Sequence, residues 1–190
     1  MQKSVALVML VLVIAASGCI GQSESDPYRL TYAGQSMKFR ANLQEAQNVP
    51  VNDANAAREM LFDVDVKKVY LAFVPSDRTF RSVSGNATYT ALYGTVGFEL
   101  AYKIGAVWGV NFGEYAPLET VVLNSSAEAA SLATRETPLI LMVAGAPETS
   151  VVVSDNMITV NGENMEEIDR AYTDLDLAAD KLILVLMGRD

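Results

Sequence analysis

One thiol, Cys19, and a scatter of carboxylates are the side chains of this 190-residue chain with a chemistry of their own to offer. Histidine is absent. That absence, together with a single cysteine, excludes Ser-His-Asp and Cys-His catalysis, His-ligated zinc or iron, Cys-rich zinc sites and any intrachain disulfide. Asp174, Asp176 and Asp180 form the densest acidic group. Asp176 and Asp180 fall on one helix face, from which two carboxylates can hold calcium or magnesium. The oxygen ladder of a calcium loop is missing, so the expected reading is a solvated helix start, where the helix dipole favours acids. Asp63-Val64-Asp65 lacks both a third acid and a glycine for the sharp turn. Asp77 with Glu99, or Glu148 with Asp155, would serve glycoside hydrolysis only if the fold brought either pair face to face. Ser-x-x-Lys, Gly-x-Gly-x-x-Gly and P-loop spacings do not occur. Tyr28, Tyr32, Phe39, Tyr89, Tyr93, Tyr102 and Trp108 are candidates for a sugar platform, but aromatics in a domain of this size mostly fill the core. No catalytic residue, metal ligand or cofactor is therefore expected.

The setting of Cys19 is more specific. Met1-Gln2-Lys3-Ser4 carries one positive charge, Val5 to Ala16 is continuously apolar, and Ser17-Gly18 are small. This is the layout of a secretory signal peptide. The run is shorter than the ~20 apolar residues a spanning helix needs. Ala16-Ser17-Gly18-Cys19 resembles a lipobox, with Ala16 where leucine is usual. There the small residues admit the peptidase, and the thiol, the chain's only strong nucleophile, takes up lipid. Residues 1–18 are thus expected to be a lipoprotein signal peptide, and 19–27 the lipidated cysteine and a polar tether ending in Pro27. Residues 28–190 then form one extracytoplasmic domain, held at the cell membrane and facing outward.

Charge fits an exposed location. The whole chain has 14 basic and 23 acidic side chains; loss of Lys3 with the leader leaves 13 basic against the same 23. Phosphate binding draws on clustered Lys and Arg, so nucleic acid is not an expected partner. Asn86-Ala87-Thr88 and Asn124-Ser125-Ser126 match the N-glycosylation acceptor pattern. Both are expected at loop-to-helix junctions, where Asn86 would cap a helix.

Hydrophobic periodicity supplies the fold class. Tyr28–Tyr32 and Met37–Phe39 around Ala33-Gly34-Gln35 read as a hairpin, and Asn52 or Asp53 caps a helix from Ala54 to Phe62 with Ala56, Met60 and Leu61 inward. Lys68–Val74, Leu118–Leu123 and Pro138–Val143 are apolar runs of strand length, the sort covered on both faces. A polar loop is expected over 76–85 and a long helix from Ala87 to about Gly109. In that helix Leu92, Val96, Leu100 and Ile104 form a stripe, Glu99 and Lys103 pair, and Gly94, Gly97, Gly105 and Gly109 imply close packing. Ser126 caps a short helix to Ala133. Ser150–Val153 and Met157–Val160 form a second hairpin, and Asn164–Met187 reads as helix with a break near Thr173-Asp174. Strands alternating with helices make an α/β domain, a mostly parallel or mixed sheet with helices on both faces.

Three stretches resemble uncharacterised archaeal cell-surface lipoproteins: the leader ending Ser17-Gly18-Cys19-Ile20-Gly21; Phe39 through Val51 (FRANLQEAQNVPV); and the C-terminal run from Ile158-Thr-Val-Asn-Gly162 through Leu182-Ile-Leu-Val-Leu-Met-Gly188. The end of the chain from Pro138 is also loosely similar to the terminal strand–hairpin–helix unit of archaeal S-layer proteins, departing by an extra stretch around 169–176. The resemblance implies a membrane partner through lipid on Cys19 and an S-layer or other envelope component as a further partner, and it supplies no catalytic residues to carry over. The expected function is a non-catalytic binding or envelope-organising module; the alternative is a carboxylate-dependent hydrolase of envelope polymers. A pocket with two facing acids favours the hydrolase, and a shallow apolar patch favours the module.

Overall fold

A computed structural model describes residues 26–163, 168 and 170–189. The expected leader, Cys19 and most of the expected tether lie outside the described residues. In chain order the elements are β1 (Arg29–Tyr32), β2 (Gln35–Lys38), α1 (Leu43–Gln47), α2 (Ala54–Phe62), β3 (Val69–Phe73), β4 (Thr79–Ser82), β5 (Gly85–Thr88), α3 (Tyr89–Phe112), β6 (Leu118–Val122), α4 (Ser126–Leu132), β7 (Leu139–Ala146), β8 (Ser150–Ser154), β9 (Met157–Glu163) and α5 (Asp174–Leu186). Five strands form one mixed sheet in the order β6-β3-β7-β9-β8. β6, β3, β7 and β9 are parallel, and β8 returns antiparallel on β9. The architecture is α/β with helices on both faces, as the alternation of elements requires.

Alternation along the strands divides the core in two. Leu71, Ile140, Met142, Ile158 and Val160 point to the face covered by α1, α2, α3 and α5. Ala72, Leu139 and Leu141 point to the other, where Leu123 and Ala129 of the α4 region meet them. The larger layer is organised around α5, in which every residue from Leu175 to Leu186 is buried. An apolar helix with no wet face belongs inside a core. Its start is set by a capping box: the Thr173 hydroxyl accepts the Asp176 N–H at 3.1 Å, and the Thr173 N–H donates to Asp176 Oδ2 at 2.7 Å. The helix expected over Asn164–Met187 is therefore corrected: it is helical from Asp174 on, while the described residues before it, 168 and 170–173, are not helix.

Several local expectations are corrected. The segment 76–85 is not all loop: β4 and β5 form a hairpin pairing Arg81 with Asn86 and Phe80 with Ala87. Asn86 therefore sits in a strand, and α3 begins at Tyr89 behind Thr88, whose hydroxyl accepts the Ala91 N–H at 3.1 Å. Burial of Phe80 against Tyr89, with ring centres 5.8 Å apart, favours the hairpin over two further residues of helix. In α2, Ala57 and Leu61 are the buried positions, not Ala56. Close packing of the α3 glycines holds at Gly97, where an added Cβ would lie 3.1 Å from Met142 Cε, whereas Gly94 and Gly105 face open space. Among the described residues no helix is long and apolar enough to cross a membrane.

Gly162 marks a close backbone approach between β9 and α5. A Cβ there would lie 2.6 Å from the Leu175 backbone nitrogen, so the end of β9 presses directly on the first turn of α5. Backbone cannot swing aside as a side-chain tip can. Gly162→Ala is expected to lower unfolding free energy by about 1–3 kcal/mol, read as a reduced urea midpoint, whereas Gly94→Ala, with nothing within 4 Å, should match or exceed wild type.

Candidate functional site

Asp176 and Asp180 do share one face of α5, but that face is not solvated. Both are buried, 2% and 3% exposed, which overturns the expected wet helix start. The cause is the position of α5 inside the core, where an ionised carboxylate must find partners within the protein. Lys103 of α3, 2% exposed, donates to Asp180 Oδ1 at 2.8 Å. The Ala41 N–H donates to Asp180 Oδ2 at 3.0 Å. Arg40 Nε lies 3.0 Å from Asp176 Oδ1. Glu99, expected as the main partner of Lys103, stands 3.6 Å from the ammonium and is the more exposed end of the chain of charges. Lys103 also lies 4.7 Å from the centre of the Phe39 ring, a further contact for the buried cation. Burial pushes the Asp180 carboxyl above its ordinary range, against the pull of Lys103 and the Ala41 N–H.

Phe39, Arg40 and Glu99 of this network also line an open groove of about 830 Å³, whereas Lys103, Asp176 and Asp180 are buried and do not line it. The β1–β2 hairpin supplies Arg29, Ser36, Met37 and Lys38; the turn after it supplies Phe39 and Arg40; α3 supplies Phe98, Glu99 and Tyr102; Asp26, Tyr28 and Ala171 complete the lining. Ala33 and Gly34, at φ 47° and 81°, make the tight turn that returns β2 against β1, the left-handed pair expected of a two-residue hairpin. Phe98 is 73% exposed and Tyr102 68%. They stand one turn apart on a stripe of α3 that continues through Ala91, Gly94 and Thr95 and carries no charge. Phe98 was not singled out by sequence, because periodicity ranks apolar residues by face and the buried stripe already accounted for that helix.

The other candidates are placed as follows. Asp174 is paired with Arg170. Asp63 and Asp65 meet Arg135 at 2.9 and 3.2 Å, and the Asp65 N–H and then the Arg135 guanidinium hold Asp63 below the usual carboxylate range. Glu148 and Asp155 flank opposite ends of β8, roughly 23 Å apart along an extended strand. Asp77 adjoins the first turn of α3, where the Ser76 N–H donates to Thr90, while Glu99 is nine residues further along that helix, about 13 Å. The fold brings neither pair face to face. Of the seven aromatics, Phe39, Tyr89, Tyr93 and Trp108 are core, Tyr28 and Tyr32 are half-buried, and Tyr102 alone is exposed. Asn86 is exposed on β5; Asn124, exposed ahead of α4, donates through Nδ2 to Glu128 at 3.2 Å. Cys19 lies outside the described residues.

Two measurements test the network. Lys103→Met leaves a buried anion and is expected to cost about 3–5 kcal/mol, while the double variant Lys103→Met/Asp180→Asn, which keeps an acceptor for the Ala41 N–H, should recover most of the loss in urea unfolding. Tyr172 gives a pH signature. Burial, followed by its 2.7 Å hydrogen bond to Glu45, pushes its hydroxyl up to about 12. The folded state thus holds this proton more tightly than the unfolded chain, so stability is complete below pH ~10 and falls as pH rises toward 12. Tyr172→Phe should flatten that alkaline decline.

Comparison with known protein families, curated proteins and solved structures finds no match to this chain.

Proposed function

We propose that this chain is a lipid-anchored, outward-facing module of the cell envelope that binds or organises a surface partner without catalysing a reaction. The observation that carries this reading is the character of the groove: an open trough with two projecting aromatics, beside which the buried acids Asp176 and Asp180 are committed to internal cations. A hydrolytic site needs carboxylates free to exchange protons with a substrate. Asp176 and Asp180 instead face Arg40 and Lys103, and among the described residues no buried side-chain nitrogen or oxygen lacks a hydrogen-bond partner. The anchor is supported by Val5–Ala16 followed by Ser17-Gly18-Cys19, where the only thiol of the chain stands. A compact body on a short tether raises the local concentration of a surface partner with no need of a reactive centre. Resemblance to archaeal cell-surface lipoproteins, and of the C-terminal strand–hairpin–helix to an S-layer unit, points to an envelope component as that partner.

Intact mass of the membrane-extracted protein tests the address. The expected species lacks residues 1–18 and carries lipid at Cys19, and Cys19→Ser abolishes the added mass. Recovery of unlipidated chain with its leader intact refutes the reading. In a host that glycosylates exported proteins, Asn86→Gln and Asn124→Gln should each remove one glycan increment, with Asn86, free of the Glu128 contact, the more completely modified.

A further inference from the structure

The groove and the tether meet at one place. Asp26, the first described residue, lines the groove beside Arg29, Lys38 and Arg40, opposite Phe98 and Tyr102. We propose that this face is a membrane-docking surface: Phe98 and Tyr102 enter the headgroup–acyl boundary of the bilayer while Arg29, Lys38 and Arg40 meet lipid phosphates. The inference rests on the lipid anchor at Cys19 and adds which side of the domain the anchor presses against the bilayer.

Three observations carry it. The first is reach. Cys19 and Asp26 are seven residues apart, so a lipid on Cys19 keeps Asp26 within about 25 Å of the bilayer. The groove mouth is consequently the part of the domain that meets lipid at the highest effective concentration. The second is the pairing of chemistries. Exposed aromatics on an uncharged helical stripe, bordered by long basic side chains that extend their stems over apolar surface, match the amphipathic boundary of a bilayer. Phe98 and Tyr102 contribute little to the fold in their observed exposure, whereas the buried stripe of the same helix is filled by Leu92, Val96, Leu100 and Ile104. The third is charge. The exported chain is strongly acidic, yet three of its 13 basic residues gather at this groove, against the two acids Asp26 and Glu99. Asp26 is shared with Arg29 at 3.6 Å, and Glu99 leans toward buried Lys103. Lys38 is exposed, and the Arg40 side chain, 38% exposed, emerges from its contact with Asp176. Phosphates therefore meet a cationic rim on an otherwise repelled body.

The test uses membrane-extracted full-length protein reconstituted into phosphatidylglycerol vesicles with brominated acyl chains. Phe98→Trp reports on the groove and Tyr115→Trp, 99% exposed in the loop after α3, on another surface; wild type supplies the Trp108 background. Docking predicts that Phe98→Trp emission shifts to the blue and is quenched roughly twofold or more beyond Tyr115→Trp. It also predicts that adding Lys38→Glu/Arg29→Glu to Phe98→Trp reduces the quenching. Equal quenching at the two positions overturns the proposal. So does a blue shift of Phe98→Trp that grows with protein concentration in the absence of vesicles, which would assign the stripe to a second copy. Intact mass of the same samples reports the lipid on Cys19 separately, so loss of docking with lipid present refutes the surface alone, and loss of the lipid refutes the anchor.

Discussion

A helix surrounded on every side by protein has to settle all of its polar groups internally, and α5 sets that condition for the whole domain. Its backbone is satisfied by its own ladder and by the Thr173–Asp176 capping box. Its charged side chains are not. Asp176 requires Arg40, Asp180 requires Lys103 and the Ala41 N–H, and Lys181 donates to the Gln47 carbonyl at 2.9 Å. Those partners come from the turn after β2, from α3 and from the end of α1. Turning α5 by one residue would rotate its side chains by about 100° and set buried charges against leucines. The ionic contacts thus fix the rotation of α5 and the seat of the N-terminal hairpin together.

The groove is a consequence of that arrangement. Lys103 reaches Asp180 from the buried side of α3, and Phe98 and Tyr102 stand exposed on the same helix, lining the groove with the hairpin. Arg40 lines the groove with its side chain partly exposed while its Nε reaches the buried Asp176 carboxylate at 3.0 Å. The buried acids beside the groove are thus held by internal partners, while the groove itself is lined by the hairpin's basic side chains and the two exposed aromatics of α3.

Glycine has a confined part in this. Gly162 is needed because the end of β9 and the first turn of α5 touch backbone to backbone. Gly113, at φ 71°, ends α3 by donating its N–H to the Gly109 carbonyl. Both positions sit at element ends that set where α3 and α5 stand relative to the sheet, and hence where the groove opens.

How much of this was legible differs by scale. Elements that depend on neighbours along the chain were legible: the apolar strands, the Ala33-Gly34 turn, a helix from Ala54 behind Asn52 or Asp53, and the alternation that makes an α/β sheet; which of the two caps that helix, and that the last helix starts only at Asp174, came from the structure. The sequence by itself also determined the chemical exclusions, since a chain without histidine cannot acquire one by folding. The expectation attached to Cys19 rests on sequence alone. Tertiary structure decided what depends on environment. Asp176 and Asp180 look like a solvated helix start in sequence because the dipole argument is local. Their burial depends on α3, β9, α1 and the turn after β2 closing around α5, which no spacing reports. Phe98 was invisible for the complementary reason, as a large apolar residue at helical spacing is ordinarily core. Asn86 became a strand residue because Phe80, six positions earlier, found its place against Tyr89. Local pattern registers which residues can form an element; the dielectric each side chain meets, and so the meaning of a charge or an aromatic ring, is set only when the layers pack.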